Sequence, residues 1–154
     1  MIPLFKSLIW PAVEYATPVW CPYLQKDIAE LESVQRKFTK FISGLRDFTY
    51  AHRLEELKLP NPAVRRDYFD LLECFKLVHG LVRSDCSDSF TISHNCTRGH
   101  NYKLQTTQRT PRLNVRAHFL TERVMRLWNA LPAEIAELAD YNRFKAALKR
   151  HLNV

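Results

Sequence analysis

Glycine is scarce in this chain of 154 residues, which contains only three glycines. They are widely spaced, so they cannot build the glycine-rich loop with which nucleotide-binding proteins surround phosphates. The sequence also lacks a G-x-S-x-G motif, an H-E-x-x-H motif and any pair of adjacent aspartates. No recognisable nucleophile is present, and the usual carboxylate ligands of two-metal phosphoryl transfer are missing. We therefore expect no catalytic residues, no enzymatic activity and no cofactor.

Long apolar runs are also missing. The longest stretches without a charged residue, such as 15–25, are about half the length of a membrane-spanning helix. The first twenty residues lack the ordered basic, apolar and cleavage regions of a secretory signal. We therefore expect an intracellular protein, nuclear or cytoplasmic, with no membrane partner. We also expect its four cysteines to be thiols rather than a disulfide framework.

One group of sulfur and nitrogen side chains is a weak candidate for structural zinc. Its members are Cys86, His94, Cys96 and His100. The spacing fits none of the common zinc motifs, since neither half is a C-x2-C or an H-x3-H pair. We expect these four to be ordinary loop residues and the chain to hold no metal.

Positive charge is concentrated toward one end of the chain. The formal net charge is +7, and residues 1–90 are neutral overall, so residues 91–154 hold the whole surplus. The segment 91–121 contains basic residues and no acidic ones. A segment with charge of one sign indicates phosphate contact, or else a solvated basic surface with no partner.

The spacing of apolar residues predicts a mainly α fold with a helical bundle at residues 1–81. Helices are expected near 4–19 with a kink at Pro11, near 26–43, near 50–57, and after the N-cap Asn61. In the second helix, Val34, Phe38 and Phe41 belong to the predicted apolar stripe. The three tryptophans, Trp10, Trp20 and Trp128, are expected to be core anchors.

The second half of the chain has a different pattern. Residues 82–98 are polar and predict a loop or linker. Residues 99–154 form a basic C-terminal region, in which alternation over 100–106 and 112–120 predicts a short β-hairpin. Two C-terminal helices should follow, one from about 121 and one from the N-cap Asp140.

Several blocks, in one order from end to end, resemble a known family. They are LFKSLIWP at 4–11, VEYATPVW at 13–20, LESVQRK at 31–37, RLEEL at 53–57, TRGH at 97–100 and RLWNALP at 126–132. Together they resemble the thumb and post-thumb region of reverse transcriptases from non-LTR (LINE-type) retrotransposons of the jockey and chicken-repeat-like groups. The resemblance implies a parent RNA-directed DNA polymerase with an endonuclease, fingers and a palm, whose paired aspartates are not among these residues.

A polymerase thumb closes over the template–primer duplex and grips its backbone, which needs Lys and Arg but no catalytic residue. The implied partners are RNA or an RNA–DNA duplex, and the palm and fingers of the parent polymerase. Charge and spacing alone select the candidate nucleic-acid-binding residues, which are Arg36, Lys37, Lys40, Arg98, Lys103, Arg109, Arg112, Arg116, Lys145, Lys149 and Arg150. Two alternatives stay open: a helical bundle that binds proteins and has no catalytic role, and a truncated element remnant without function.

Overall fold

The computed structural model describes residues 1–82, 90–93, 99–106 and 118–154. The described part is mainly α-helical and contains one antiparallel pair of strands, which confirms the predicted fold class. The first helix, α1, consists of Ile2–Leu4, a π-helical turn at Phe5–Ile9, and Trp10–Glu14. The other elements are α2 (Gln25–Lys40), α3 (Tyr50–Glu56), α4 (Pro62–Val78), β1 (Phe90–Ile92), β2 (Leu104–Thr106), α5 (Leu120–Asn129), α6 (Ala133–Ala136) and α7 (Tyr141–Leu152).

The π-helical turn of α1 lies directly before Pro11, where the sequence predicts a kink. Proline has no backbone N–H to donate, and its ring crowds the carbonyl group one turn earlier. A wider turn relieves this conflict, and the backbone N–H of Trp10 accordingly bonds the Phe5 carbonyl, five residues before it. The irregularity of α1 therefore has a local cause in the sequence.

The chain divides into two compact units, residues 1–66 (with Val154) and 67–153. The boundary falls within α4, between Arg66 and Asp67. The N-cap residues Asn61 and Asp140 act as expected, because their side chains accept backbone N–H groups of the first turns of α4 and α7 at 2.8 and 2.7 Å.

In the unit formed by residues 1–66, buried Phe5 stacks on Phe38 of α2, with ring centroids 4.0 Å apart. The buried positions of α2 itself are polar, Gln35 and Thr39. Val34 and Phe41 are exposed, so the predicted apolar stripe was wrong at both positions. Gln35 is buried because its amide bridges two segments: it accepts the Trp10 indole N–H at 3.1 Å and donates to the Pro60 carbonyl at 3.0 Å.

In the unit formed by residues 67–153, three fully buried aromatic rings pack together. Phe75 of α4 and Phe144 of α7 lie 4.4 Å apart between centroids, and Trp128 of α5 lies 5.8 Å from Phe144. Trp128 is therefore the core anchor that the sequence predicts. Trp10 is only partly buried and Trp20 is 42% exposed, so the prediction of a core position was wrong for Trp20.

The antiparallel pair joins β2 to β1, with Leu104 opposite Ile92. Strand β1 falls within the stretch 82–98 that the sequence predicts to be a loop or linker, so that prediction was wrong at Phe90–Ile92. The sequence predicts segment 112–120 as the partner of the strand at 100–106. Residues 112–117 lie outside the described residues, and Leu120 begins helix α5.

At Leu104, the edge of β2 that faces away from β1 is bonded by a side chain. The Ser93 N–H bonds the Lys103 carbonyl, so the backbone groups of Leu104 point to the other edge of β2. There the Asn129 amide binds both groups, accepting the Leu104 N–H at 2.8 Å and donating to its carbonyl at 2.9 Å. The edge is therefore occupied by a residue of the RLWNALP block.

Candidate nucleic-acid interface

The predicted basic residues are only partly within the described chain. Arg98, Arg109, Arg112 and Arg116 lie outside the described residues, as do Cys86, His94 and Cys96 of the weak metal candidate. The described candidates are Arg36, Lys37, Lys40, Lys103, Lys145, Lys149 and Arg150; all are exposed except Lys103, which is half-buried.

A basic groove lies at the C-terminal end of α2. It is lined by Lys37, Lys40, Phe41, Ile42, Ser43, Gly44 and Arg46, and its volume is about 660 Å³. Three of these side chains are cationic, and no carboxylate is among the residues that line the groove. We call this surface the α2 groove. Its geometry suits an anion that can contact several cations at once.

The chain forms this groove because α2 ends abruptly. The backbone N–H of Phe41 bonds the Phe38 carbonyl at 3.0 Å, and that of Leu45 bonds the Ile42 carbonyl at 3.2 Å. Gly44 lies within the second of these turns, with φ +82°, a left-handed conformation that glycine adopts without steric cost. Tight turns thus place Arg46 on the same groove as the last two lysines of the helix.

The support of the groove is a buried arginine. Arg53 of α3 is only 2% exposed, and it donates from Nε to the Thr39 hydroxyl at 3.1 Å and from Nη1 to the Phe48 carbonyl at 2.7 Å. Thr39 in turn donates to the Arg36 carbonyl at 3.0 Å. The guanidinium group thus ties α3 to the last turn of α2.

Arg36 differs from its neighbours because it is engaged within the protein. Its guanidinium group lies 4.0 Å from the Glu32 carboxylate and 5.0 Å from the centre of the Tyr50 ring. Burial, and after it the Glu32 charge, raise the pKa of the Tyr50 hydroxyl above its ordinary value, so this ring stays neutral beneath the arginine. Of the three predicted residues on α2, Lys37 and Lys40 line the groove and Arg36 does not.

Phe41 is the aromatic member of the groove, and sequence reasoning misplaced it. Its ring is 77% exposed, although helical spacing assigned it to the core stripe. Arg46 is the basic member that sequence reasoning missed, because it lies beyond the helix on which the charges were counted. The signal available for Arg46 was its position two residues after Gly44, where the chain turns back at the end of the helix.

The basic residues of α7 fall on two surfaces. Lys145 and Lys149 are four residues apart and share one exposed face. Arg150 instead joins Arg143 in a shallow depression beside α6 that also contains Glu134. The predicted set Lys145, Lys149 and Arg150 is therefore not a single cluster, and the depression carries charges of both signs.

His100, the described member of the weak metal candidate, is fully buried and bound by backbone atoms. Its Nδ1 accepts the Tyr102 N–H at 3.2 Å, which places the ring proton on Nε2, 3.0 Å from the Trp128 carbonyl. Neither nitrogen keeps a lone pair for a metal ion in this arrangement. The described residues contain no group of three or more potential metal ligands. Lys103 lies nearby, with its side chain against Gly99.

Among the described residues 1–66, a small pocket of about 20 Å³ is lined by Trp10, Glu14 and Trp20 together with neighbouring residues. A space of this size holds about one water molecule, so it is too small for a substrate.

Within the described ranges, no helix combines the length and the apolar character needed to cross a bilayer.

Comparison of the chain with protein-family models, with curated proteins and with solved structures gave no match. The resemblance to non-LTR reverse transcriptases therefore depends on the sequence blocks alone. The α2 groove is defined by the residues that line it.

Proposed function

We propose that this chain binds the phosphate backbone of nucleic acid as the thumb and post-thumb part of a non-LTR retrotransposon reverse transcriptase. The observation that carries the proposal is the convergence of Lys37, Lys40 and Arg46 on one groove without a carboxylate in its lining. The expected ligands are a template–primer duplex or element RNA, bound inside the cell. The chain contributes binding, and the palm of the parent polymerase contributes catalysis.

Electrostatics favours this function for the α2 groove. Arginine and lysine that neutralise phosphates release condensed counterions, so affinity depends steeply on salt. The buried charge of Arg53 adds to the positive potential at the end of α2, and Lys145 and Lys149 offer a further exposed pair in the other unit. None of these roles requires a nucleophile or a metal ion.

The test is a titration of a fluorescein-labelled RNA–DNA hybrid with the purified chain. With three phosphate contacts or more, affinity should fall at least about 40-fold between about 50 mM and about 200 mM salt. Binding without salt dependence, or none at low salt, would contradict the proposal. Primer extension by the purified chain in Mg²⁺ or Mn²⁺ would contradict the assignment of catalysis to another part of the parent.

A second candidate function is supported by the surface of α1. Leu4 and Leu8 lie four residues apart on one face of this helix, and each is more than half exposed. An apolar face of this kind suits contact with another protein domain. If the chain is a protein-interaction bundle, the double variant Leu4→Glu, Leu8→Glu should lose its association with a protein partner. The unmodified chain should then bind nucleic acid either not at all or with an affinity that does not depend on salt.

A further inference from the structure

The α2 groove contains one side chain that phosphate binding leaves unexplained. Phe41 is 77% exposed and follows Lys40 directly in the chain. A single exposed aromatic residue is common on protein surfaces and needs no explanation by itself. Here the ring shares a groove with three cationic side chains, and this combination is typical of surfaces that bind single strands.

An aromatic ring can stack on a base only where a face of that base is open. In a duplex every base is stacked on its neighbours, so a protein that grips the outside reaches phosphates and sugars. Lys37, Lys40 and Arg46 suffice for that contact, and Phe41 adds nothing to it. In an unpaired nucleotide one face of the base is open, and an aromatic ring can stack on it while cations hold the adjacent phosphates.

The remaining lining of the groove fits the same ligand. Ile42 and Gly44 provide no hydrogen-bonding side chain, and Ser43 is the one neutral hydroxyl among the residues that line the groove. Reading a base sequence needs several side-chain donors and acceptors at fixed positions. The groove therefore suits binding that tolerates any base, because every base has a π face.

We propose that the α2 groove binds an unpaired nucleotide of single-stranded nucleic acid, with Phe41 stacked on the base and Lys37, Lys40 and Arg46 on the flanking phosphates. This inference deepens the proposed function and rests on it, since the same cations make the phosphate contacts. In a template–primer complex the ligand is an unpaired stretch next to the duplex. The ring contributes affinity for single strands and the cations contribute affinity for both forms.

The experiment compares three ligands and three variants of the full chain. Labelled single strands of mixed sequence, as RNA and as DNA, and a blunt duplex of the same sequence are titrated at low salt. The variants are Phe41→Ala, Phe41→Trp and, as a matched control, Phe48→Ala, because Phe48 is also exposed but does not line the groove. Circular dichroism and thermal unfolding show that each variant keeps the fold.

Phe41→Ala should weaken binding of both single strands by roughly 5- to 100-fold, which corresponds to the loss of one stacked base. Duplex binding should change less than about twofold, and the salt slope should stay the same, because the phosphate contacts remain. Phe41→Trp should restore single-strand affinity and Phe48→Ala should leave it unchanged. An equal loss of affinity for single strands and for the duplex, or no loss of affinity for single strands, overturns the inference.

The failure of this inference is distinguishable from that of the proposed function. If Phe41→Ala has no effect while a Lys37→Ala, Lys40→Ala variant weakens the binding of single strands and of the duplex, the stacking role is overturned and phosphate binding stands. If the unmodified chain binds neither ligand at low salt, both are overturned.

Discussion

The side-chain amide of Asn129 binds both backbone groups of Leu104, the N–H at 2.8 Å and the carbonyl at 2.9 Å. It thereby takes the place of a neighbouring strand at the edge of β2 and fixes the end of α5 relative to the sheet. The adjacent Trp128 reinforces this arrangement, because its indole N–H donates to the Tyr102 carbonyl at 2.7 Å. Two consecutive residues of the RLWNALP block thus join α5 to the segment before β2.

Replacing Asn129 by Ala should lower the free energy of unfolding by about 2–4 kcal/mol, because two hydrogen bonds are lost and Leu104, which is buried, keeps unsatisfied backbone groups. Urea unfolding followed by circular dichroism measures the change. Asn142→Ala is the matched control, since Asn142 is exposed on α7 and should change stability by less than about 0.5 kcal/mol. Equal stability of the two variants would contradict the role of the amide.

Replacing Arg53 by Met should destabilise the protein by about 2–4 kcal/mol, because the Thr39 and Phe48 contacts to a charged donor are both lost from a buried site. Arg53→Lys should recover only part of the loss, since one ammonium group cannot reproduce the two-pronged geometry of guanidinium. Thermal and urea unfolding test both variants. A Lys variant as stable as the unmodified chain would show that only the charge matters.

Protonation of His79 should destabilise the protein in mild acid. Burial lowers the pKa of its imidazole below the ordinary value near 6.5, and within the described residues its Nε2 is buried without a hydrogen-bond partner. The unfolded chain therefore takes up this proton at higher pH than the folded chain does. The free energy of unfolding should fall as the pH drops below about 6.5 and level off below the folded-state pKa.

The measurement for His79 is urea unfolding at several pH values between about 7.5 and 5, for the unmodified chain and for His79→Gln. The variant lacks this titration, so the difference in stability between the two proteins should shift in favour of the variant as the pH falls. A difference that is independent of pH would contradict the assignment. The comparison isolates His79, because the other five histidines are present in both proteins.

Replacing Gly44 by Ala should cost about 1 kcal/mol, although open space surrounds the position where a Cβ would lie. The cost comes from the backbone, since φ is +82° and an L-residue is strained there. Gly44→Asn should cost less than Gly44→Ala, because asparagine tolerates this conformation better. Thermal unfolding compares the two variants. A Gly44→Ala variant as stable as the unmodified chain would contradict the claim that an L-residue is strained at this position.

The sequence predicted the helices better than their faces. Asn61, Asp140 and Pro11 act locally, through a cap bond or a missing N–H, so their effects were predictable from neighbouring residues. The burial of Gln35, Thr39 and Arg53 depends on partners 14 to 25 residues away, which no periodic pattern specifies.

The same reason limited prediction of the groove and the sheet. Lys37 and Lys40 were predicted from helical spacing, whereas Arg46 joins them only through the turns around Gly44. Alternation correctly predicted a strand at 104–106, but its partner was decided by tertiary contacts. Asn129 satisfies the outer edge of β2 at Leu104, and Phe90–Ile92 pairs with the other edge.

The most direct test of phosphate binding by the α2 groove is the salt dependence of affinity for an RNA–DNA hybrid in a charge-matched pair of variants. The first is Lys37→Ala, Lys40→Ala; the second is Lys6→Ala, Lys26→Ala, which removes two exposed lysines that do not line the groove. The groove variant should bind more weakly, and the slope of log affinity against log salt should become shallower by roughly 1.5 to 2. The control should keep the slope of the unmodified chain. Identical slopes for the two variants would contradict the account.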